Sequence, residues 1–296
     1  MKFGIVGNTK KTNVNEVAWT LIHYLQQKEI PFVIHDELGL WLNKTGSTAP
    51  LSNSVLCNGT DIAKRSEMLI ALGGDGTMLM AARMVHLHET PILGINLGKL
   101  GFLAEVSVNE VRECLDDILL GSYVIEERSA LIAKTSKDNK SYFALNEIVV
   151  DRGSSPRVID LETVVNEEYL VTYTADGIIV TTPTGSTAYS LASGGPIVDP
   201  RSRVLTINPV SAHMLTARPV VVPDDNIIKV AIRSGVQQVH ITADGQIEGL
   251  YDPPVEFYIQ KASHPVRLVK RNKRSYFDVL RTKLLWGKDL RQENNT

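Results

Sequence analysis

Only two cysteines, Cys57 and Cys114, occur in the 296 residues, far apart and in no CxxC pair. That excludes a disulfide framework and a thiolate zinc site. Charge of one sign is also lacking: 31 Lys and Arg stand against 33 Asp and Glu, a net of −2, so no bulk positive field argues for nucleic acid or an anionic membrane. A phosphate-rich ligand would therefore need a local site. No apolar run approaches the roughly 18 residues of a membrane span. The opening segment MKFGIVGNTKK carries no long apolar core and no cleavage-like site, so the cytoplasm is the expected compartment. Two nucleotide signatures are missing as well. GxxxxGK[ST] appears nowhere, and Gly4-Ile5-Val6-Gly7 is only a fragment of G-x-G-x-x-G. Gly4 and Gly7 read as a strand-end turn from which Asn8 could still reach a ligand.

What is present is an ordinary globular balance, 43% hydrophobic and 22% charged, long enough for two domains. Up to about residue 125, strand-like and helix-like segments alternate. Phe3–Val6, Phe32–His35, Met68–Leu72 and Ile92–Ile95 read as strands. Asn15–Gln27, Thr77–His86 and Val108–Leu119 read as helices. This rhythm predicts a Rossmann-like, doubly wound, mostly parallel sheet. Residues 41–58 are polar and irregular and read as a mobile surface loop. Beyond Tyr123, short β-branched runs recur between turn residues, from Ala130–Thr135 and Phe143–Val150 through Ile178–Thr181 to Val239–Ala243 and Val255–Gln260, an all-β signature. Helix-compatible spacing returns from Tyr276 to Leu290. The expectation is an α/β domain over 1–125, rejoined by a helical tail at 275–296, and a β-rich domain over 126–274.

The strongest local signal is Leu72-Gly73-Gly74-Asp75-Gly76-Thr77, with a strand before it and a helix after it. Closely spaced glycines let the backbone approach a ligand, and the helix start offers unpaired N–H groups to phosphate. An acid inside such a loop would repel phosphate unless it held a divalent metal or took a proton from an attacking hydroxyl, and phosphoryl transfer uses both. The bland alternative is a βα turn with Asp75 as helix N-cap. A second signal is Asp176-Gly177, a short strand, and then Thr182-Pro183-Thr184-Gly185-Ser186-Thr187-Ala188-Tyr189. It offers hydroxyl donors, a helix start and a stacking ring, or is merely a hydroxyl-rich cap and turn. The third is Asn146-Glu147, a polar pair in an apolar strand. It suits an adenine edge or ribose hydroxyls, or is a solvated edge. His213 reads as structural before catalytic, Met78, Met80 and Met84 as core before a cofactor box, and Lys270-Arg271-Asn272-Lys273-Arg274 as a solvated basic face, with help in neutralising phosphates as the alternative.

Taken together these residues resemble the NAD kinase family. Its GGDGT motif stands at Gly73–Thr77, its Asn-Glu pair at Asn146-Glu147, and its long signature at Asp176–Pro196, DGIIVTTPTGSTAYSLASGGP. Ser211–Leu215, Ala217-Arg218-Pro219, Asp244-Gly245-Gln246 and Ser275-Tyr276-Phe277 are similar to further family segments. The GGDGT motif alone is shared with diacylglycerol, sphingosine and phosphofructokinase relatives. The resemblance implies phosphorylation of the 2′-hydroxyl of the adenosine ribose of NAD by ATP with a divalent cation such as Mg²⁺, giving NADP. It implies that Asp75 is the acid/base or metal organiser in a nucleotide loop with Gly74, Gly76 and Thr77. Asn146 and Glu147 would hold adenine or ribose. Thr184, Thr187, Ala188 and Tyr189 would line the adenosine and nicotinamide pockets, and Asp176 would meet the nicotinamide side. Asp244 would assist near the reacting hydroxyl or serve a turn. Thr174 stands where polyphosphate users carry Gly, which implies ATP as donor. A homodimer or homotetramer is implied, with a neighbour's residues in the NAD site; the metal-ligating residues are left unassigned. Two other readings stay open. A lipid or sugar kinase would leave Asn146-Glu147 and TPTGSTAY unexplained, and a non-catalytic NAD sensor would make Asp75 dispensable.

Overall fold

The computed structural model describes residues 1–45, 50–59, 61–233, 238–271 and 275–286. They form two compact units, one of residues 1–126 with the segment from 267 onward, the other of residues 127–266.

The first unit runs β1 (Phe3–Gly7), α1 (Val14–Gln27), β2 (Phe32–His35), α2 (Asp36–Thr45), β3 (Leu56–Cys57), β4 (Met68–Gly73), α3 (Asp75–Val85), β5 (Ile92–Asn96), β6 (Val106–Ser107), α4 (Val111–Leu119) and β7 (Val124–Arg128). β4 and β5 are buried along their whole length and β1 over Phe3–Val6, as parallel strands covered on both faces must be. α1 buries Val14, Val17, Ala18, Leu21, Ile22 and Leu25, the one-sided stripe of a surface helix. That stripe shares a core with Ile5, Ile34, Ile70 and Leu115.

The second unit holds β8 (Leu131–Thr135), β9 (Ser141–Ala144), β10 (Glu147–Asp151), β11 (Ile159–Val165), β12 (Glu168–Ala175), β13 (Gly177–Thr181), a one-turn α5 (Tyr189–Ala192), β14 (Val204–Val210), β15 (Val220–Pro223), β16 (Ile228–Ile232), β17 (Val239–Ala243), β18 (Ile247–Tyr251) and β19 (Val255–Lys261). Among the described residues they make two six-stranded sheets, β15-β14-β13-β10-β17-β18 and β12-β11-β16-β19-β8-β9. Their inward residues, among them Ile148, Val180 and Ile241 from one and Leu131, Leu161 and Phe257 from the other, form a single core. The chain then returns through β20 (Val266–Lys270) and α6 (Tyr276–Leu284) to the first unit.

The first sheet has the order β3-β2-β1-β4-β5-β20-β7, with β6 beside β5. β1 pairs in parallel with β2 on one side and β4 on the other. The strand order therefore reverses at β1 and β4, and a ligand crevice is expected outside the carboxyl ends of such strands. The Gly73–Thr77 loop leaves β4 at that end. Beside it the Asn8 N–H donates to the Leu72 carbonyl at 3.0 Å.

Several expectations need correction. Asp36–Thr45 is a helix, so the irregular stretch expected from Trp41 begins later. Asp36 and Glu37 favour its N-terminal dipole, and Leu38 and Leu42 bury one face; residues 46–49 and 60 lie outside the described ones. Phe143–Val150 is two strands broken at Leu145-Asn146. Strands β18 and β20 were not anticipated. β18 completes a hairpin whose turn, Ala243-Asp244-Gly245-Gln246, has φ of +53° at Asp244 and +61° at Gly245, the signature of a primed turn. Lys270 and Arg271 are buried rather than part of a solvated basic face, because acids meet both; Asn272, Lys273 and Arg274 lie outside the described residues, as does the tail beyond Trp286. Of the three methionines on α3, Met78 is buried, and Met80 and Met84 are half-buried. Gly4 and Gly7 both lie within β1, and the Asn8 side chain accepts from the Lys10 N–H at 3.0 Å.

Candidate functional site

In the first unit, Gly74 is the N-cap of α3 in extended backbone and Asp75 is its first helical residue. The N–H groups of Thr77 and Met78 donate to the Gly74 carbonyl at 2.9 and 3.1 Å. Thr77 is buried, Gly76 exposed and Asp75 half-buried. The Asp75 carboxylate does not cap its helix, so the N-cap reading is corrected. It reaches across to the loop after β5, where Oδ2 accepts from the Phe102 N–H at 2.9 Å and Oδ1 from Leu103 and Ala104 at 3.0 and 3.4 Å. A Cβ on Gly101 would stand 2.0 Å from Asp75 Oδ1, so this close approach needs glycine there. Each carboxylate oxygen has two acceptor directions. These three bonds use both on Oδ1 and one on Oδ2, which leaves Oδ2 one direction for a hydroxyl proton or a cation.

The same device recurs in the second unit. Asp244, in the left-handed conformation at its turn, accepts from the N–H groups of Leu145, Asn146 and Glu147 at 2.9, 2.8 and 3.2 Å. Its own N–H donates to the Glu147 carbonyl at 3.0 Å. The Asn146 carbonyl accepts from the Thr182 N–H at 2.9 Å and from Thr181 Oγ1 at 3.0 Å. With these groups turned to Asp244 and to residues 181–182, the ladder breaks between β9 and β10, and both Asn146 and Glu147 are buried. Asp244 thus serves a turn and a clamp at once.

Glu147 is the most perturbed acid here. Burial, and then the nearby Asp244 carboxylate, push its carboxyl up to about 8, while a bond from the Tyr189 backbone N–H pulls the other way. At neutral pH it is therefore protonated. Its Oε2 is buried with no hydrogen-bond partner among the described residues. A buried polar atom left unpaired is costly unless a ligand or water meets it.

The TPTGSTAY segment forms a 3₁₀ turn at Thr184–Thr187 and the four-residue α5. That is too short for the helix start expected to receive an anion, and most of its hydroxyls are spent internally. Thr182 Oγ1 donates to the Leu145 carbonyl at 2.7 Å, and Ser186 Oγ to Pro183 at 2.7 Å while accepting from Val198. Thr187 Oγ1 donates to the Thr184 carbonyl at 3.3 Å, and Thr184 Oγ1 accepts from the buried Arg128 at 3.4 Å. A Cβ on Gly185 would stand 2.4 Å from the Asn146 carbonyl oxygen, which is why this turn can lie on Asn146. Ala188 is half-buried and precedes Tyr189, whose side chain is 45% exposed and available for stacking.

Asp176 is not brought to this cluster. It precedes β13, and Thr182 follows it, about 20 Å away at roughly 3.3 Å per residue. There its Oδ1 accepts from Arg152 Nε at 2.6 Å. Thr174 Oγ1 donates to Asp160 at 2.6 Å, and His213 is exposed, its backbone N–H on the Thr174 carbonyl.

Two stretches of the sequence match one known family. Residues 3–123 match the model of the ATP-NAD kinase N-terminal domain, and residues 145–271 that of the C-terminal domain. The chain belongs to the NAD kinase family. Among curated relatives, the NAD kinase of Heliobacterium modesticaldum is 40% identical over 288 residues, 96% of this chain and 99% of the relative. That of Geobacter sulfurreducens is 42% identical over 289 residues, 97% of this chain and 99% of the relative. A crystal structure of yeast NADH kinase complexed with NADH superposes with a TM-score of 0.86 at 26% identity, covering 97% of this chain and 88% of that one. An NAD kinase from Archaeoglobus fulgidus in complex with ATP shares the fold, with a TM-score of 0.74 at 24% identity over 96% and 99% of the chains.

Sequence reasoning missed the loop Gly101–Glu105, the partner of the acid in the family's GGDGT motif. The glycines of Asn96-Leu97-Gly98-Lys99-Leu100-Gly101 were a signal of close backbone approach. Among the described residues no group of three His, Cys, Asp or Glu could hold a metal ion. A Mg²⁺ bound through one carboxylate and a ligand's phosphates does not need such a group.

Proposed function

We propose that the chain phosphorylates the 2′-hydroxyl of the adenosine ribose of NAD with ATP, giving NADP, and that Asp75 is the group at the reacting hydroxyl. Membership of the NAD kinase family supports the reaction. The observation that carries the assignment of Asp75 is its carboxylate at the switch point of the parallel sheet, held by three amides with one acceptor direction open on Oδ2. A carboxylate so fixed accepts the hydroxyl proton as the oxygen attacks the γ-phosphorus and the bond from that phosphorus to ADP breaks, with ADP leaving, and it loses little entropy in doing so. Gly74, Gly76 and Thr77 would form the loop along the nucleotide. Mg²⁺, when bound, would be held by the triphosphate and would offset phosphate charge.

Protonated Glu147 and Asn146 would bind the adenosine, with Oε2 of Glu147 gaining the partner it lacks, and Asp244 would hold their backbone in place. Thr184, Thr187, Ala188 and Tyr189 would line the pocket, Tyr189 by its exposed ring. Asp176, about 20 Å along β13 from Thr182, would serve the nicotinamide end of a site on a neighbouring copy. That reading fits a homo-oligomer, as do the exposed side chains of Tyr169, Leu215 and Leu250. The compartment proposed is the cytoplasm; no helix of the described residues is long and apolar enough to cross a membrane. Thr174 favours ATP over polyphosphate.

The test is incubation of the purified protein with NAD, Mg²⁺ and either ATP or polyphosphate, reading NADP with an NADP-specific dehydrogenase. NADP formation with ATP, abolished by a chelator, is the expected result. NAD binding without NADP formation would instead identify a sensor.

A further inference from the structure

We propose that Lys270 is a positioning residue for phosphoryl transfer, holding through Glu105 the loop whose amides aim the Asp75 carboxylate. The proposal rests on the reading of Asp75 as the group at the reacting hydroxyl.

The loop from Leu97 to Glu105 has no regular structure of its own, yet three of its N–H groups fix Asp75. Its first half is well secured. The Leu97 N–H donates to the Gly73 carbonyl at 2.9 Å, and Asn13 Nδ2 to the Leu97 carbonyl at 3.1 Å. Asn96 takes the Gly98 N–H on Oδ1 at 2.9 Å and gives Nδ2 to the Lys99 carbonyl at 2.7 Å. The second half carries the amides that matter, at Phe102, Leu103 and Ala104, and ends at once on Glu105. After it comes only the two-residue β6, paired with the end of β5 at Ile95 and Asn96.

Beyond the burial of Leu103 and Ala104, Glu105 ties that half to the sheet by an ion pair. Its Oε1 accepts from Lys270 Nζ, a partner 165 positions away at the end of β20. β20 lies beside β5, with Leu268 opposite Ile92, so the lysine stands on the sheet and not on the loop. The side chains of Lys270 and Glu105 are only 10% and 19% exposed. A charge pair so shielded from water is little screened and fixes the groups that carry it. The next residue, Arg271, is tied separately to Asp117 and Glu113 on α4 at 2.6 and 3.0 Å. Lys270 is thus the one of the two whose salt bridge ends on the loop that fixes Asp75. One peptide unit separates Glu105 from the Ala104 amide, so release of Glu105 lets the amide row shift. Phosphoryl transfer is sensitive to displacement of its groups by about 1 Å.

The test compares steady-state NADP formation and melting temperature in Lys270→Met, Lys270→Arg, Glu105→Gln/Lys270→Met and Asp75→Asn. Lys270→Met is expected to lower kcat about 10- to 100-fold while KM for NAD and for ATP each change by less than about threefold, since Asp75 is misplaced but the nucleotide contacts remain. Lys270→Arg restores most of kcat. The double variant removes both buried charges, so it regains thermal stability without regaining turnover. Where Lys270→Met alone does not fold, the double variant carries the test. Full turnover in folded Lys270→Met, a change in KM alone, or turnover that recovers with stability in the double variant would overturn the positioning role. Unchanged turnover in Asp75→Asn would overturn the reading of Asp75 beneath it.

Discussion

Replacing Glu147 with Gln should stabilise the protein, and by more as the pH rises. The carboxyl is pushed from 4.5 up to about 8, first by burial and then by Asp244. At pH 7 the unfolded chain holds it ionised and the folded chain holds it protonated, so folding takes up a proton. Each pH unit between 4.5 and 7 costs about 1.4 kcal/mol, a total of about 3 kcal/mol. The stability contributed by the neutral form is complete below pH 4.5 and is lost progressively up to about pH 8. Gln does not titrate, still accepts from the Tyr189 N–H, and keeps a donor where the carboxyl has O–H. Its advantage is expected to be about 3 kcal/mol at pH 7, or roughly 5–10 °C in Tm, and under about 1 kcal/mol at pH 5. Thermal melts of both proteins at pH 5, 6, 7 and 8 measure this. A gap that does not widen with pH, or a Gln variant less stable at pH 7, would refute the reasoning.

Asp244→Ala strands three amides that the carboxylate now satisfies, at a cost of about 2–4 kcal/mol after water reaches some of them. It should also flatten the pH dependence of stability by bringing the Glu147 carboxyl down, which the same melts would reveal. Tyr189→Ala removes a half-exposed ring but keeps the N–H on Glu147, so stability should stay within about 0.5 kcal/mol. KM for NAD should rise more than KM for ATP; a shift in the ATP constant alone would show the pocket to be misassigned.

Much of the fold was legible because the two periodicities are clean. The apolar runs at Phe3–Val6 and Met68–Leu72 read as buried parallel strands, and α1 repeats its apolar positions every three or four residues. What failed did so where tertiary contacts override local pattern. Phe143–Val150 reads as one strand, and the Asp244 carboxylate, about 100 positions on, together with Thr181 and Thr182 breaks it. Lys270 and Arg271 read as a solvated face because nothing nearby in sequence reveals Glu105 or Asp117. The β18 hairpin was legible in principle, since Asp-Gly between β-branched runs is a strong turn signal. Site residues were visible by type and not by partner. Asp75 stood out amid glycines, but its three amides lie 27 to 29 positions away. The hydroxyls of TPTGSTAY suggested ligand donors, while Thr182, Ser186 and Thr187 donate theirs to backbone carbonyls of the fold.

The central claim is that Asp75 takes the proton of the attacking hydroxyl, and the most direct measurement is the turnover and NAD affinity of Asp75→Asn. Asn keeps an acceptor for Leu103 and Ala104 and loses the one for Phe102, so the loop stays close to its place. The account predicts kcat lower by about 10²–10⁴, the usual worth of a general base, with the NAD dissociation constant from calorimetry nearly unchanged. Turnover equal to that of the parent protein would contradict it.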